Sequence, residues 1–193
     1  MKQLRDQRQQ FYLVVYTQTD AHVGHYYCGG GLDLGLNEVG IEDGRKLARR
    51  FKKNPLKIKR IIASPELRSI QMADVMHDEI KAKLTLDRDF ADQFLGELEG
   101  KPMPKANGHG TSAVEDPVSD PPRGESSEAF SKRVNDGLVK ILKEPGALLI
   151  VTHPRVARAV YNLIGLGAEK IIPGVLYAID IPAGEGIAHA REI

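Results

Sequence analysis

The sequence predicts an α/β domain, a three-layer sandwich in which helices cover both faces of a mostly parallel sheet. Three observations predict it. Short apolar runs, Phe11 to Tyr16, Lys59 to Ala63 and Ala147 to Val151, alternate with segments of helical period. The run Ala147-Leu-Leu-Ile-Val151 has no polar alternation, as expected of a strand buried on both faces. Two of the runs end in Ser64-Pro65 and His153-Pro154, where proline suits the first turn of a following helix. Ligands of such sheets bind beyond the carboxyl ends of the strands, which puts Thr17, Ser64 and His153 on one rim.

Taken in order, Phe11 to Tyr16 is apolar and β-rich. Thr17 to Gly35 is rich in Gly and Tyr and reads as a long loop. Ile41, Gly44, Leu47, Ala48 and Phe51 recur at helical spacing, and Asn54-Pro55 stops that helix. After the strand Lys59 to Ala63, Ser64 is a natural N-cap, and Leu67, Ile70, Ala73, Met76 and Ile80 form the expected buried face. Gly100 to Gly124 is rich in Pro, Gly and Ser without a period, the mark of a lid or binding loop. A helix follows from about Ser126 to Lys143, with Phe130, Val134, Leu138 and Ile141 inward. Pro154 opens another that ends at Gly165. Val175 to Ile181 is a further strand, and Ile187 to Arg191 is expected at a sheet edge. No repeat or second domain is visible, so 11–193 reads as one domain and the polar segment 1–10 as a flexible extension.

The chain of 193 residues is long enough for one sizeable core. A formal net charge of +1 gives no basis for nucleic-acid or membrane attraction. The single cysteine, Cys28, forms no internal disulfide, and with no signal peptide or membrane span evident the cytoplasm is the expected location. His22, His25 and Cys28 are spaced like soft metal ligands, but no fourth ligand is evident and no metal is expected. Gly29-Gly30-Gly31 lacks the Gly-Lys-Ser/Thr of a nucleotide loop, and no cofactor is expected.

From Phe11 onward a series of motifs resembles the histidine phosphatase superfamily, phosphoglycerate mutase-like, in the right order. Asp33, Leu36, Asn37, Glu38, Gly40 and Ala48 are similar to its D-x-x-L-T-x-x-G-x-x-Q-A stretch, with Asn37 in place of threonine. Ser64-Pro65-x-x-Arg68 resembles S-P-x-x-R, Leu95-Gly96-Glu97-Leu98-Glu99-Gly100 resembles F-G-x-W-E-G, and Gly124-Glu125-Ser126 with Phe130 and Arg133-Val134 resembles G-E-S-x-x-x-F-x-x-R-V. The resemblance implies that Arg68, Thr19 and His153 contact phosphate. It also implies that Asp92 is the candidate acid, one carbon shorter than the family's glutamate, although Glu97 or Glu99 is a competing choice. The departure is at the nucleophile: the family's Arg-His-Gly falls on Val15, Tyr16 and Thr17. A phenol of ordinary pKa is only about one-thousandth ionised at pH 7. Losing a catalytic nucleophile can cost about a millionfold in rate, or about 8 kcal/mol.

Three readings follow. The first is a catalytically impaired pseudophosphatase that binds phosphate or a small phosphorylated ligand. The second is an active phosphomonoesterase using Tyr16, a loop histidine or a water near His153. The third is a non-catalytic interaction module with a protein partner. Lys101, Lys105 and Arg123 are the basic residues of the lid, too few to indicate a heavily phosphorylated ligand, and Gly108-His109-Gly110 reads as the lid's tip.

Overall fold

A computed structural model describes residues 6, 8–53, 56–103, 118–167 and 170–193. The strands are β1 (Gln9–Val15), β2 (Arg60–Ala63), β3 (Lys83–Leu86), β4 (Leu148–Thr152), β5 (Leu176–Ile181) and β6 (His189–Glu192). The helices are α1 (Asp20–Gly24), α2 (Glu38–Lys53), α3 (Leu67–Ile80), α4 (Ser127–Leu142) and α5 (Pro154–Ile164). One six-stranded sheet has the order β3-β2-β4-β1-β5-β6. Its first four strands are parallel, β5 is antiparallel to β1, and β6 is antiparallel to β5.

The connections through α2 and α3 both run toward the β3 edge, whereas α4 leads back from β3 to β4. Right-handed crossovers therefore put α2 and α3 on one face and α4 on the other. The packing agrees, since α2 lies against α3 and α4 against α5. The connections leaving β1 and β4 diverge to opposite sides, which opens a crevice at their carboxyl ends. These strands are neighbours, with Val15 opposite Thr152. All five residues of β4 are buried, as its unbroken apolar run requires.

Several boundaries differ from those expected. β1 begins at Gln9, because Gln9 and Gln10 pair with Ile181 and Asp180 while Arg8 and Gln10 bond the Asp180 carboxylate. Part of the expected extension is thus sheet, and Tyr16 lies just past the strand's end. The expected loop 17–35 contains α1, and the bridge Thr19↔Leu36 closes its base. Ser64 does not cap α3; the helix starts at Leu67 with Glu66 in the cap position, since the Ser64 hydroxyl is engaged elsewhere. The buried face of α3 is accordingly Arg68, Ser69, Met72, Ala73 and Met76, and Leu67 is exposed. β3 was not expected: Lys83-Leu-Thr-Leu86 is a largely exposed edge strand with no apolar run to mark it. Of the expected lid, 104–117 with Gly108-His109-Gly110 lies outside the described residues, as do Asn54-Pro55 and 1–5. The flank Tyr27-Lys101 is joined by backbone bonds in both directions between the loop at 25–27 and residues 100–103.

Candidate active site

The ends of β1, β2 and β4 bring Tyr16, Arg68 and His153 together. All three are essentially buried, at 3%, 0% and 0% exposure, so their charges and protons are set by one another rather than by solvent. The Tyr16 ring meets the His153 ring edge-on at 5.2 Å, and the Arg68 guanidinium lies 5.4 Å from its centre, within cation–π range. Burial pushes the Tyr16 phenol well above the usual phenol range, and the opposing pull of Arg68 does not offset it. Val15, in contrast, is fully buried in the hydrophobic core. Thr17 is buried too, and its hydroxyl donates to the Gly40 carbonyl at 2.6 Å. The close backbone approach here is made by Gly40, where a Cβ would sit 2.1 Å from the Gln18 carbonyl oxygen.

Arg68 is the second residue of α3, which begins shortly after β2. Its guanidinium donates to the Gly29 carbonyl at 2.8 Å and the Leu32 carbonyl at 3.3 Å, and its Nη2 lies 3.4 Å from Asp92 Oδ2. The glycine run makes this possible: Gly29 has φ +60°, and a Cβ on Gly30 would stand 2.7 Å from the Asp92 carbonyl oxygen. Glu99 holds the same run, accepting from the Gly31 and Leu95 amides at 2.9 and 3.0 Å. Glu99 is therefore a brace of this loop, while Glu97 pairs with exposed Arg123. Of the three candidate acids, only Asp92 stands beside Arg68 and His153.

His153 closes β4 and precedes Pro154 at the start of α5. The Ser64 hydroxyl donates to Glu66 Oε2, and His153 Nε2 lies 2.6 Å from Ser64 Oγ and 3.0 Å from Glu66 Oε2. With the serine proton committed to the carboxylate, Nε2 is the donor of the pair and the ring orientation is fixed. Its Nδ1 has no hydrogen-bond partner and faces Asp92 Oδ2 at 3.7 Å. Burial opposes ionisation of Glu66, but the bonds from His153 and Ser64 hold its carboxyl below the usual carboxylate range. Glu66 also accepts from the Asp92 amide at 3.1 Å.

Asp92 is 4% exposed and stands against Arg68, His153 and Arg155, the last 2% exposed, at 3.5 Å. Burial alone would raise its carboxyl, yet His153, Arg155 and Arg68 together hold it below the usual range. A proton donor needs the reverse, a carboxyl that keeps its proton near the working pH. The backbone at Asp92 is firmly placed. Arg133 donates to the carbonyls of Arg88, Asp89 and Ala91 and pairs with Glu125, and Gln93 bonds both Val118 and Glu125. The Gly-Glu-Ser…Arg-Val segment thus positions the candidate acid from a distance.

Thr19 is buried but directed to His22: its amide donates to His22 Nδ1 at 3.1 Å, with its hydroxyl at 2.9 Å. The neutral His22 ring then carries its proton on Nε2, and burial followed by nearby Arg68 pushes the imidazole below its usual range. That ring lies 5.7 Å from Tyr16. Cys28 donates to the Leu32 carbonyl, and burial raises its thiol. Among the described residues no group of three or more His, Cys, Asp or Glu side chains is placed to hold a metal ion. A cavity of about 170 Å³ opens beside Tyr16, with Tyr26, Tyr27 and Met103 among its walls and Asp92 and Arg155 at its charged side. Glu66 and Arg155 were missed from sequence. Each stands next to a motif residue, Glu66 inside Ser-Pro-x-x-Arg and Arg155 two after His153, which was the available signal.

Compared with known proteins, residues 11–172 match the family model described as histidine phosphatase superfamily (branch 1). The chain belongs to this superfamily. Its six-stranded sheet with flanking helices is the phosphoglycerate mutase-like fold. Similar solved structures include phosphoglycerate mutase from Bacillus anthracis str. Sterne, at 20% identity and TM-score 0.77, covering 98% of this chain and 94% of that one. A putative alpha-ribazole-5'-P phosphatase from Escherichia coli str. K-12 substr. MG1655 is 21% identical, with TM-score 0.76 over 96% and 95% of the two chains. TTHB049 from Thermus thermophilus is 23% identical, with TM-score 0.73 over 95% and 98%. No curated protein sequence matches. Among the described residues no helix is long and apolar enough to cross a membrane.

Proposed function

We propose that this histidine phosphatase superfamily protein holds a phosphate or phosphoester group without turning it over. One observation carries the reading: Tyr16 occupies the end of β1, against His153 and Arg68, with its phenol driven up by burial. A phenol so held offers no oxyanion to attack phosphorus. The charge-handling side is populated, with Arg68, Arg155 and His153 around one point and the α5 N-terminus directed to the same rim. The work of phosphoryl transfer is positioning and charge stabilisation around a nucleophile; the charge-stabilising groups are present and the nucleophile is lacking.

The pseudophosphatase reading is favoured over an active enzyme with a substitute nucleophile for a second reason. His22, whose ring lies 5.7 Å from that of Tyr16, presents Nε2–H rather than a lone pair while Thr19 holds Nδ1. The ionised state of Asp92 also leaves no obvious proton donor for a leaving group. Calorimetric titration with inorganic phosphate tests the binding half of the proposal. Saturable binding that Arg155→Met abolishes is expected, and an absence of binding at millimolar phosphate would leave an interaction module with a vestigial pocket. Release of phosphate from an aryl phosphate tests the other half.

A further inference from the structure

Two guanidiniums and an imidazole of the site converge on a single atom. Asp92 Oδ2 lies 3.4 Å from Arg68 Nη2, 3.5 Å from Arg155 Nη1 and 3.7 Å from His153 Nδ1. We propose that the Asp92 carboxylate is the site's resident anion, occupying the position between Arg68, Arg155 and His153 that a ligand's oxyanion would take, so that an external phosphate binds only by displacing it. The inference rests on the phosphate-holding reading above and names what controls that binding.

Three features of the geometry support it. The contacts are all longer than the roughly 2.7–2.9 Å of a charge-assisted hydrogen bond, so the carboxylate closes tightly on none of its three neighbours. Donor capacity is also left over: Arg68 Nε and Arg155 Nε are buried without a hydrogen-bond partner. A planar carboxylate with one oxygen already accepting from the Gln93 amide cannot serve that set, whereas the several oxygens of a phosphate have the acceptors to do so. Finally, Asp92 and Arg155 both line the cavity beside Tyr16, so an entering ligand meets this pair without opening the core.

The charges explain why the two anions exclude one another. Glu66 is engaged by Ser64 and His153, which leaves Arg68 and Arg155 facing Asp92. A phosphate added beside an ionised Asp92 would place like charges in contact in a site shielded from water, where such contacts are strongly unfavourable. The main chain at Asp92 is held by Glu66 and by Gln93's clamp on 118–125. Displacement therefore means rotation of the side chain, not movement of the segment.

The test is titration of inorganic phosphate into wild type, Asp92→Asn and Asp92→Asn/Arg155→Met at one pH. We expect Asp92→Asn to bind phosphate about tenfold or more tightly than wild type, the size of one contacting like charge, and the double variant to lose that gain. If folded Asp92→Asn binds no more tightly than a wild type that does bind, Asp92 is a supporting group rather than a competitor and this inference fails while the phosphate reading stands. If neither protein binds, the phosphate reading fails and takes the inference with it. Should Asp92→Asn not fold, wild-type crystals soaked in phosphate decide. Phosphate on Arg155 with the Asp92 carboxylate swung away supports the inference, phosphate beside an unmoved Asp92 overturns it, and a soak without phosphate at the site overturns both readings.

Discussion

The carboxyl ends of β1 and β4 lie side by side, with Val15 opposite Thr152, and differ in what they carry. β4 runs out into His153, Pro154 and Arg155, a buried imidazole and guanidinium tied to carboxylates. β1 runs out into Val15, Tyr16 and Thr17: a core side chain, a buried ring and a hydroxyl spent on a backbone carbonyl. One end remains an electrostatic site and the other has become core. A buried tyrosine can thus stand at the end of β1 without collapse of the charges around it. Both guanidiniums face a carboxylate of the chain itself, Arg68 and Arg155 at Asp92, and the His153 imidazole meets Glu66, so their burial is compensated without any ligand.

The largest expected effect comes from making the β1 end resemble the family motif. Val15→Arg inserts an unpaired guanidinium into a fully packed position. It should cost more than about 5 kcal/mol, enough to unfold a domain of ordinary stability. Chemical denaturation or loss of soluble folded protein reads this out, and a folded variant of near wild-type stability would show that the β1 end is still open. On the other side of the comparison, Arg68→Met removes a buried cation beside Asp92 and takes the donor from the Gly29 carbonyl. A loss of about 3–4 kcal/mol in urea unfolding is expected. A loss below about 1 kcal/mol, the size of an exposed pair, would mean that the charge network contributes little.

Smaller effects separate the two ends by pH. Asp92 and Glu66 have folded pKa values below their unfolded ones. Their contribution is full above the unfolded carboxylate values of about 4 and is lost as pH falls through them toward the folded values. Thermal melts from pH 6 to pH 2 should therefore show an acid limb that Asp92→Asn and Glu66→Gln each flatten. Tyr16 behaves in the opposite sense. Its folded pKa is raised, so its contribution is full below the unfolded phenol value of about 10 and is lost as pH rises above it. Tyr16→Phe should change stability by less than about 1 kcal/mol at pH 7 while weakening the alkaline limb. An alkaline limb identical to that of wild type would place Tyr16 in contact with solvent.

The sequence carried the parts of this molecule that have a period or a run. Ile41, Gly44, Leu47, Ala48 and Phe51 do line the inner side of α2 or sit close to it, and Leu148 to Val151 of the expected run are buried strand, because burial of a whole face leaves a one-dimensional trace. β3 left none, since an exposed edge strand needs no apolar pattern. The placement of Tyr16 between Arg68 and His153 follows from three strand ends meeting on one rim. The pairings of Arg155 with Asp92 and of Glu66 with His153 were not readable, because each joins residues more than sixty positions apart whose identities, Arg and Glu, are ordinary at a helix start. Ser64 illustrates the same point: its local preference for an N-cap yields to a tertiary bond with Glu66 and His153.

Whether the β1 end holds a working nucleophile is decided by phosphate release from an aryl phosphate. Purified wild type, Tyr16→His and His153→Ala would be compared at equal concentration and pH 7, each first shown to be folded. The account predicts that wild type releases phosphate no faster than His153→Ala, and that Tyr16→His, which alone restores an imidazole between Arg68 and His153, rises above both. Turnover by wild type well above His153→Ala, abolished by Tyr16→Phe or His22→Ala, would contradict it.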